Sequence, residues 1–265
     1  MSEEHWKVGI VGGTGMLGSA IAQAILASGA LRPDSLWISN RSGKAKGFGS
    51  VPPSNVTGVN QALADASDVI LLSVPPAMAH EIEINAEGKL VMSVVAGVSL
   101  DELKEITGTS RVVRAMSSPA AKHGLAYSPW CASVEATTTD RERASIVFGA
   151  CGLADEVESE AHVEFFTALT GPVPGFVAFF AEAMVDYAIA GGIAPNIADR
   201  AIRQLFLAAG QMMSEGSMTP ADHVKFAVDY AGTTAAGLNA MKRLPISAEI
   251  AEGLDAAVAK TRVIG

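Results

Sequence analysis

The sequence predicts an α/β protein whose N-terminal half is a doubly wound, mainly parallel sheet and whose C-terminal half is all helical. Three observations carry this. Short apolar runs alternate with helix-spaced segments through residue 159. A glycine-rich loop joins the first such run to the first helix. Beyond residue 160 only helical periodicity remains. Strands covered on both faces read as near-continuous apolar runs, so alternation with helices implies parallel βαβ units.

The elements follow in order. Residues 6–11 form a strand and 16–28 a helix, with Leu17, Ile21, Ala24 and Ile25 on one face. A strand at 35–39, a helix at 59–66 and the apolar strand 68–74 come next, then a short helix at 77–82. Strand 90–96, helix 100–106, and strands 111–116 and 132–137 continue the pattern. A helix at 140–151 is capped by Thr139 or Asp140. The remaining helices are expected at 161–169, 174–190, 197–214, 220–228, 234–241 and 245–260. Gly171-Pro172, Gly191-Gly192, Gly216 and Pro245 punctuate them. The expected domains are 1–159 and 160–265.

Composition narrows the function. With 49 % apolar and 18 % charged residues the chain can bury a core and is not of disordered type. Its 45 alanines and 26 glycines point to close approach of backbones or helices. A net charge of −9, with no Lys/Arg run longer than two, argues against a nucleic-acid partner. Uncharged apolar stretches such as 171–181 are too short for a bilayer. The acidic N-terminus lacks the pattern of a signal peptide, so a cytoplasmic location is expected. Cys131 and Cys151 make no metal or disulfide set and are expected to be buried thiols. The five histidines show no metal spacing.

Gly13, Gly15 and Gly18 satisfy G-x-G-x-x-G between a strand and a helix. That chemistry needs a tight turn, backbone contact with a pyrophosphate and close helix–strand packing. Gly13, Thr14, Gly15, Met16 and Leu17 are therefore candidate cofactor residues, with the phosphates at the positive end of the helix. A plain strand–helix turn would use the same glycines without a ligand. The second strand bears on which dinucleotide is bound. An NAD site usually has an acid near its end, but no acidic residue occurs between Ser35 and Ala64. Ser39, Asn40, Arg41 and Lys44 stand there instead and suit a 2′-phosphate, so NADPH is expected over NADH. Val74 and Pro75, and Ala96 and Gly97, end two later strands and should flank the nicotinamide.

With these residues in view, the chain resembles the pyrroline-5-carboxylate reductase family. The anchors are the glycine loop, Ser39-Asn40-Arg41, Ala96–Leu100, Arg114-Ala115-Met116, and the A-G-T-T-A-A-G-L run at 231–238. The last matches the family's GGTT-x-x-GL signature. The resemblance implies a Rossmann domain joined to a helical dimerisation domain. It also implies NAD(P)H-dependent reduction of a small cyclic imine, pyrroline-5-carboxylate or a related compound, in a homodimer or higher homo-oligomer. Thr234 matches the family threonine that bonds the ring nitrogen, and Gly232, Thr233 and Thr234 could bind a substrate carboxylate at a helix start. Both threonines could equally be N-caps.

Several motifs depart from the family. The family's R-x-M-P-N becomes Arg114-Ala115-Met116-Ser117-Ser118, and Asp229 replaces a serine beside the GTT turn. Asp229 could cap, face solvent or select a cationic substrate. Three other readings stay open. A deazaflavin-dependent NADP oxidoreductase shares the GGTGMLG and NR segments. A hydroxyacid-dehydrogenase-like reductase would need a lysine absent from 160–192. A non-catalytic NADP-binding protein would tolerate the motif departures.

Overall fold

A computed structural model describes residues 6–44 and 47–261. The acidic start of the chain, residues 1–5, lies outside them.

Eight strands form one sheet in the order β3-β2-β1-β4-β5-β6-β7-β8. They are β1 (Val8–Val11), β2 (Leu36–Ser39), β3 (Val56–Thr57), β4 (Val69–Leu72), β5 (Leu90–Ser93), β6 (Val112–Ala115), β7 (Ala126–Ala132) and β8 (Gly152–Glu156). Pairing is parallel throughout except between β6 and β7, where Arg114 sits opposite Cys131. Strand order reverses direction between β1 and β4, and in such sheets ligands bind outside the carboxyl ends of the strands at that switch point.

Five helices pack on the sheet: α1 (Met16–Ser28), α2 (Asn60–Ala66), α3 (Leu100–Thr107), α4 (Thr138–Gly149) and α5 (Glu160–Leu169). Side chains alternate across the strands and feed two cores. Val8, Ile10, Val69 and Leu71 join Ile21 and Ile25 of α1 on one face. Val11, Ile70 and Leu72 join Leu63 of α2 and Leu103 of α3 on the other. Each such side chain contributes about 1.5–3 kcal/mol on burial.

Some expectations shift. Strand 132–137 is displaced to β7, and β3 and β8 are additional strands. The short helix at 77–82 is a 3₁₀ helix at Pro76–Glu81. Neither Thr139 nor Asp140 caps α4. Thr137 does, in a reciprocal box with Asp140. Both thiols are buried and free, as expected.

By contacts the chain divides into two compact units. One runs through Val173 and regains the chain from Ala256; the other is Pro174–Asp255. This differs from the expected boundary at 159/160 because α5 packs on β6 and β7. The second unit holds α6 (Gly175–Ala190), α7 (Pro195–Ser214), α8 (Pro220–Asp229), α9 (Thr233–Met241) and the start of α10 (Ile246–Thr261). Among the described residues, no helix is long and apolar enough to cross a membrane.

Candidate functional site

The glycine loop lies at the carboxyl end of β1, at the switch point. Gly12 has φ +77°, and a Cβ there would lie 2.3 Å from the Ser73 carbonyl oxygen. The loop thus passes directly over the end of β4, where only glycine fits. The N–H groups of Gly12 and Gly13 both donate to the Ser39 carbonyl, at 3.1 and 3.2 Å. A Cβ on Gly18 would stand 2.5 Å from the Gly12 carbonyl oxygen, so α1 packs hard against the loop. Helix α1 opens at Gly15 with no side-chain cap and no acid in its first turn. Thr14, Gly15 and Met16 are exposed there. This cradle, which an added methyl would fill, and the uncapped positive helix end fit a dinucleotide pyrophosphate. Gly12 went unused in the sequence motif; the doubled glycine after the strand was its signal.

The turn after β2 separates its candidates. Ser39 is fully buried, and its hydroxyl donates to Asn60 Oδ1 at 2.8 Å. Its side chain is therefore no phosphate ligand, which corrects the sequence expectation; it anchors the glycine loop through its carbonyl. Asn40 is also committed. Its Oδ1 accepts from the N–H and hydroxyl of Ser42, and its Nδ2 donates to the Lys44 carbonyl. Arg41 and Lys44 are exposed. Arg41 Nη2 contacts the Met78 sulfur at 3.1 Å, and among the described residues no carboxylate pairs with either cation.

A cleft of about 260 Å³ opens where β5 and β6 end, lined by Leu17, Ala96, Arg114, Ser117, Val163 and Thr167 among others. Ala96 was expected near the nicotinamide, and Leu17 in the glycine loop. Val74 and Pro75 are not in its lining; Val74 packs beside Gly12. Gly97 follows Ala96 in the same loop. Arg114 is only 5 % exposed. Its Nη1 donates to Glu160 Oε1 at 2.9 Å, and its Nη2 meets Glu164 Oε1 at 3.2 Å. Glu160 Oε1 also accepts from the Leu100 N–H at 2.7 Å. Ser117 accepts from Ser128 at 2.9 Å. The sequence reading had Arg114 only as a motif anchor and gave Glu160 no role. A lone charge inside the apolar run V-V-R-A was the available signal. Cys131 is no nucleophile: burial, with help from the Glu160 charge, pushes its thiol up to about 11. Burial pushes Cys151 up to about 12.

A larger cavity, about 540 Å³, lies at the amino ends of the strands. Two of its four cations are spent on the fold: Lys89 donates to the carbonyls that end α2, and Arg111 pairs with Asp140. Among the described residues, no His, Cys, Asp and Glu cluster could hold a metal.

In the helical unit, α9 begins at Thr233 with Gly232 as its N-cap residue and no side-chain cap. Thr233 and Thr234 are thus the first two helical residues, not caps, and both are exposed. Ala231 before them has φ 56°, in the left-handed region. Asp229 ends α8, exposed and ion-paired with Lys225 at 2.5 Å.

The C-terminal part matches a family model described as pyrroline-5-carboxylate reductase dimerisation, over residues 160–264. A pyrroline-5-carboxylate reductase of Methanosarcina acetivorans is 30 % identical, over 99 % of this chain and 99 % of its own. The chain belongs to the pyrroline-5-carboxylate reductase family. A reductase of that name from Arabidopsis thaliana is 28 % identical, over 98 % of this chain and 95 % of its own. Among solved structures, a pyrroline-5-carboxylate reductase from Coxiella burnetii shares the fold with a TM-score of 0.87 at 22 % identity, covering 99 % of both chains. A Plasmodium falciparum pyrroline carboxylate reductase with NADP bound gives 0.81 at 23 %, again over 99 % of both. A model for coenzyme F420-dependent NADP oxidoreductase matches residues 7–97 alone. The deazaflavin reading therefore has support in the nucleotide-binding half, while the match to pyrroline-5-carboxylate reductases runs the whole length.

Proposed function

We propose that the chain is an NADPH-dependent reductase of pyrroline-5-carboxylate, acting on the C=N bond of that cyclic imine. The observation that carries this reading is end-to-end similarity to reductases of that name, joined to a glycine cradle that fits a dinucleotide. NADPH supplies the hydride when bound. The chain's own residues would do the following. The N–H groups of Thr14, Met16 and Leu17 would hold the pyrophosphate at the start of α1, with Gly13 and Gly15 letting the backbone approach it. Arg41 and Lys44, on a turn shaped by Asn40, would hold the 2′-phosphate and set the preference over NADH. Leu17 and Ala96 would border the nicotinamide, with Gly97, Val74 and Pro75 on the flanking loops, and the apolar wall would exclude water.

On the helical unit, the free N–H groups at Gly232, Thr233 and Thr234 would receive the substrate carboxylate. The Thr234 hydroxyl would accept a hydrogen bond from the protonated ring nitrogen. An iminium is already electrophilic, so placement can supply much of the acceleration without a strong side-chain acid. Asp229 borders this turn, but Lys225 offsets its charge; it is a substrate-binding candidate through position rather than charge. The helices also expose large apolar side chains, including Phe179, Tyr187, Leu207 and Phe226. We read these faces as the contacts of a homodimer or higher homo-oligomer, and place the enzyme in the cytoplasm.

The test is NADPH consumption with pyrroline-5-carboxylate, pyrroline-2-carboxylate, piperideine carboxylates and uncharged cyclic imines. Turnover strongest with pyrroline-5-carboxylate is expected. Tight NADPH binding with no turnover across the panel would sink the reductase reading, and turnover only with a deazaflavin would move it to the F420-dependent group.

A further inference from the structure

The loop after β5 carries Ala96, which lines the cleft, and it is tied by side chains at both ends. Near its start, Val95 N–H donates to the Ser93 hydroxyl at 3.1 Å. Near its end, Ser99 forms a reciprocal capping box with Glu102 at the head of α3. One bond there reaches outside the local chain: the Leu100 N–H donates to Glu160, a residue 60 positions later on α5. The same Glu160 oxygen accepts from Arg114 on β6.

We propose that Arg114 and Glu160 are positioning residues for the nicotinamide half of the cofactor, acting together as a clamp on loop 94–99. The inference rests on the proposed dinucleotide site. One carboxylate oxygen joins three segments: the end of β6, the start of α5 and the head of α3. Arg114 is 5 % exposed and lines the cleft itself. A buried guanidinium needs its partners, and removing one leaves the other group unsatisfied. Without Glu160, Arg114 keeps Glu164 as its one carboxylate among the described residues, and the Leu100 N–H loses its acceptor. The loop that shapes the cleft would then relax. None of these bonds touches the glycine cradle or the Arg41 turn, so the adenosine end of the site should not feel the change.

That separation gives the experiment. Full-length wild-type, Glu160→Ala, Glu160→Gln and Arg114→Lys chains are titrated with NADPH and with 2′,5′-ADP, which offers only the adenosine end. Losing a charged hydrogen bond implies a rise of about tenfold in the NADPH dissociation constant for Glu160→Ala. The 2′,5′-ADP constant should stay within about twofold. Glu160→Gln, whose amide oxygen still accepts from Leu100, should restore most of the loss. A second measurement needs no cofactor: amide hydrogen exchange of residues 94–100 should accelerate in Glu160→Ala while β1 and β4 stay protected. If Glu160→Ala does not fold, Arg114→Lys decides by the same two measurements: one ammonium cannot reproduce the fork to Glu160 and Glu164, so NADPH affinity should again fall while 2′,5′-ADP affinity holds.

In Glu160→Ala, or in Arg114→Lys where that chain does not fold, equal loss of NADPH and 2′,5′-ADP affinity, or wild-type affinity for both, would overturn the clamp. So would unchanged exchange across 94–100. Failure of the wild-type chain to bind 2′,5′-ADP would count against the dinucleotide site itself, and the exchange measurement would still decide the clamp.

Discussion

Replacing Arg41 by Ala tests the cofactor reading most directly. Its guanidinium is exposed, holds no carboxylate among the described residues and meets the Met78 sulfur. The substitution therefore leaves the fold alone, and the melting temperature should move by no more than about 2 °C. A hydrogen bond to a charged group is worth about 1.5–3 kcal/mol, and water around an exposed side chain puts this one at the low end. About 1.5 kcal/mol corresponds to roughly tenfold in kcat/KM for NADPH. NADH has no 2′-phosphate, so its kcat/KM should barely change. The assay is initial-rate kinetics with both cofactors, repeated at low and high salt. The NADPH-to-NADH ratio should fall about tenfold, and the wild-type ratio should shrink as salt rises, because the contact is screened. Arg41→Ala with Lys44→Ala should lower it further. An unchanged ratio in the double variant would refute the assignment of the 2′-phosphate to this turn.

Three other outcomes follow from the geometry. Gly18→Ala puts a methyl 2.5 Å from the Gly12 carbonyl oxygen; the loop must move, so NADPH titration should show affinity weakened by about tenfold or more, with about 1–3 kcal/mol lost in urea unfolding. Ala231→Gly relieves a left-handed residue at φ 56°; after the entropy cost of glycine, denaturant melts should show a gain of up to about 1 kcal/mol. Asp140 is fully buried; burial opposes its ionisation, but bonds from Arg111 and Thr137 prevail and hold its carboxyl below the usual value. A depressed folded pKa contributes stability that is complete above the unfolded value and lost as pH falls through the folded one. Thermal melts from pH 7 downward should therefore lose stability below about pH 4, and Asp140→Asn should flatten that acid limb while lowering stability at pH 7.

Much of the fold was legible because the signals were local. DVILLSV at 68–74 could only be a buried strand, and the spacing of Leu17, Ile21 and Ile25 only a helix. The misses had physical causes. Pro129 sits inside β7, where a residue without an N–H masks a strand pattern, yet its carbonyl still serves the sheet by accepting from the Met116 N–H. β8, G-L-A-D-E, is a largely exposed edge strand, so no apolar run marks it. At the site, glycines and the basic turn could be read from sequence. That Ser39 faces inward could not, because its partner Asn60 lies 21 residues away. The joining of Arg114 to Glu160 spans 46 residues and is equally invisible locally.

The Ser39 carbonyl has a consequence for how this protein can change. Two loop N–H groups converge on a main-chain oxygen, which every amino acid possesses. The glycine loop is thus anchored to β2 without depending on the chemistry displayed a residue or two beyond. The turn at 41–44, which we propose selects the cofactor, is modular: it can be rewritten, by evolution or by an engineer exchanging Arg41 for an acid, while the chassis beneath keeps its shape.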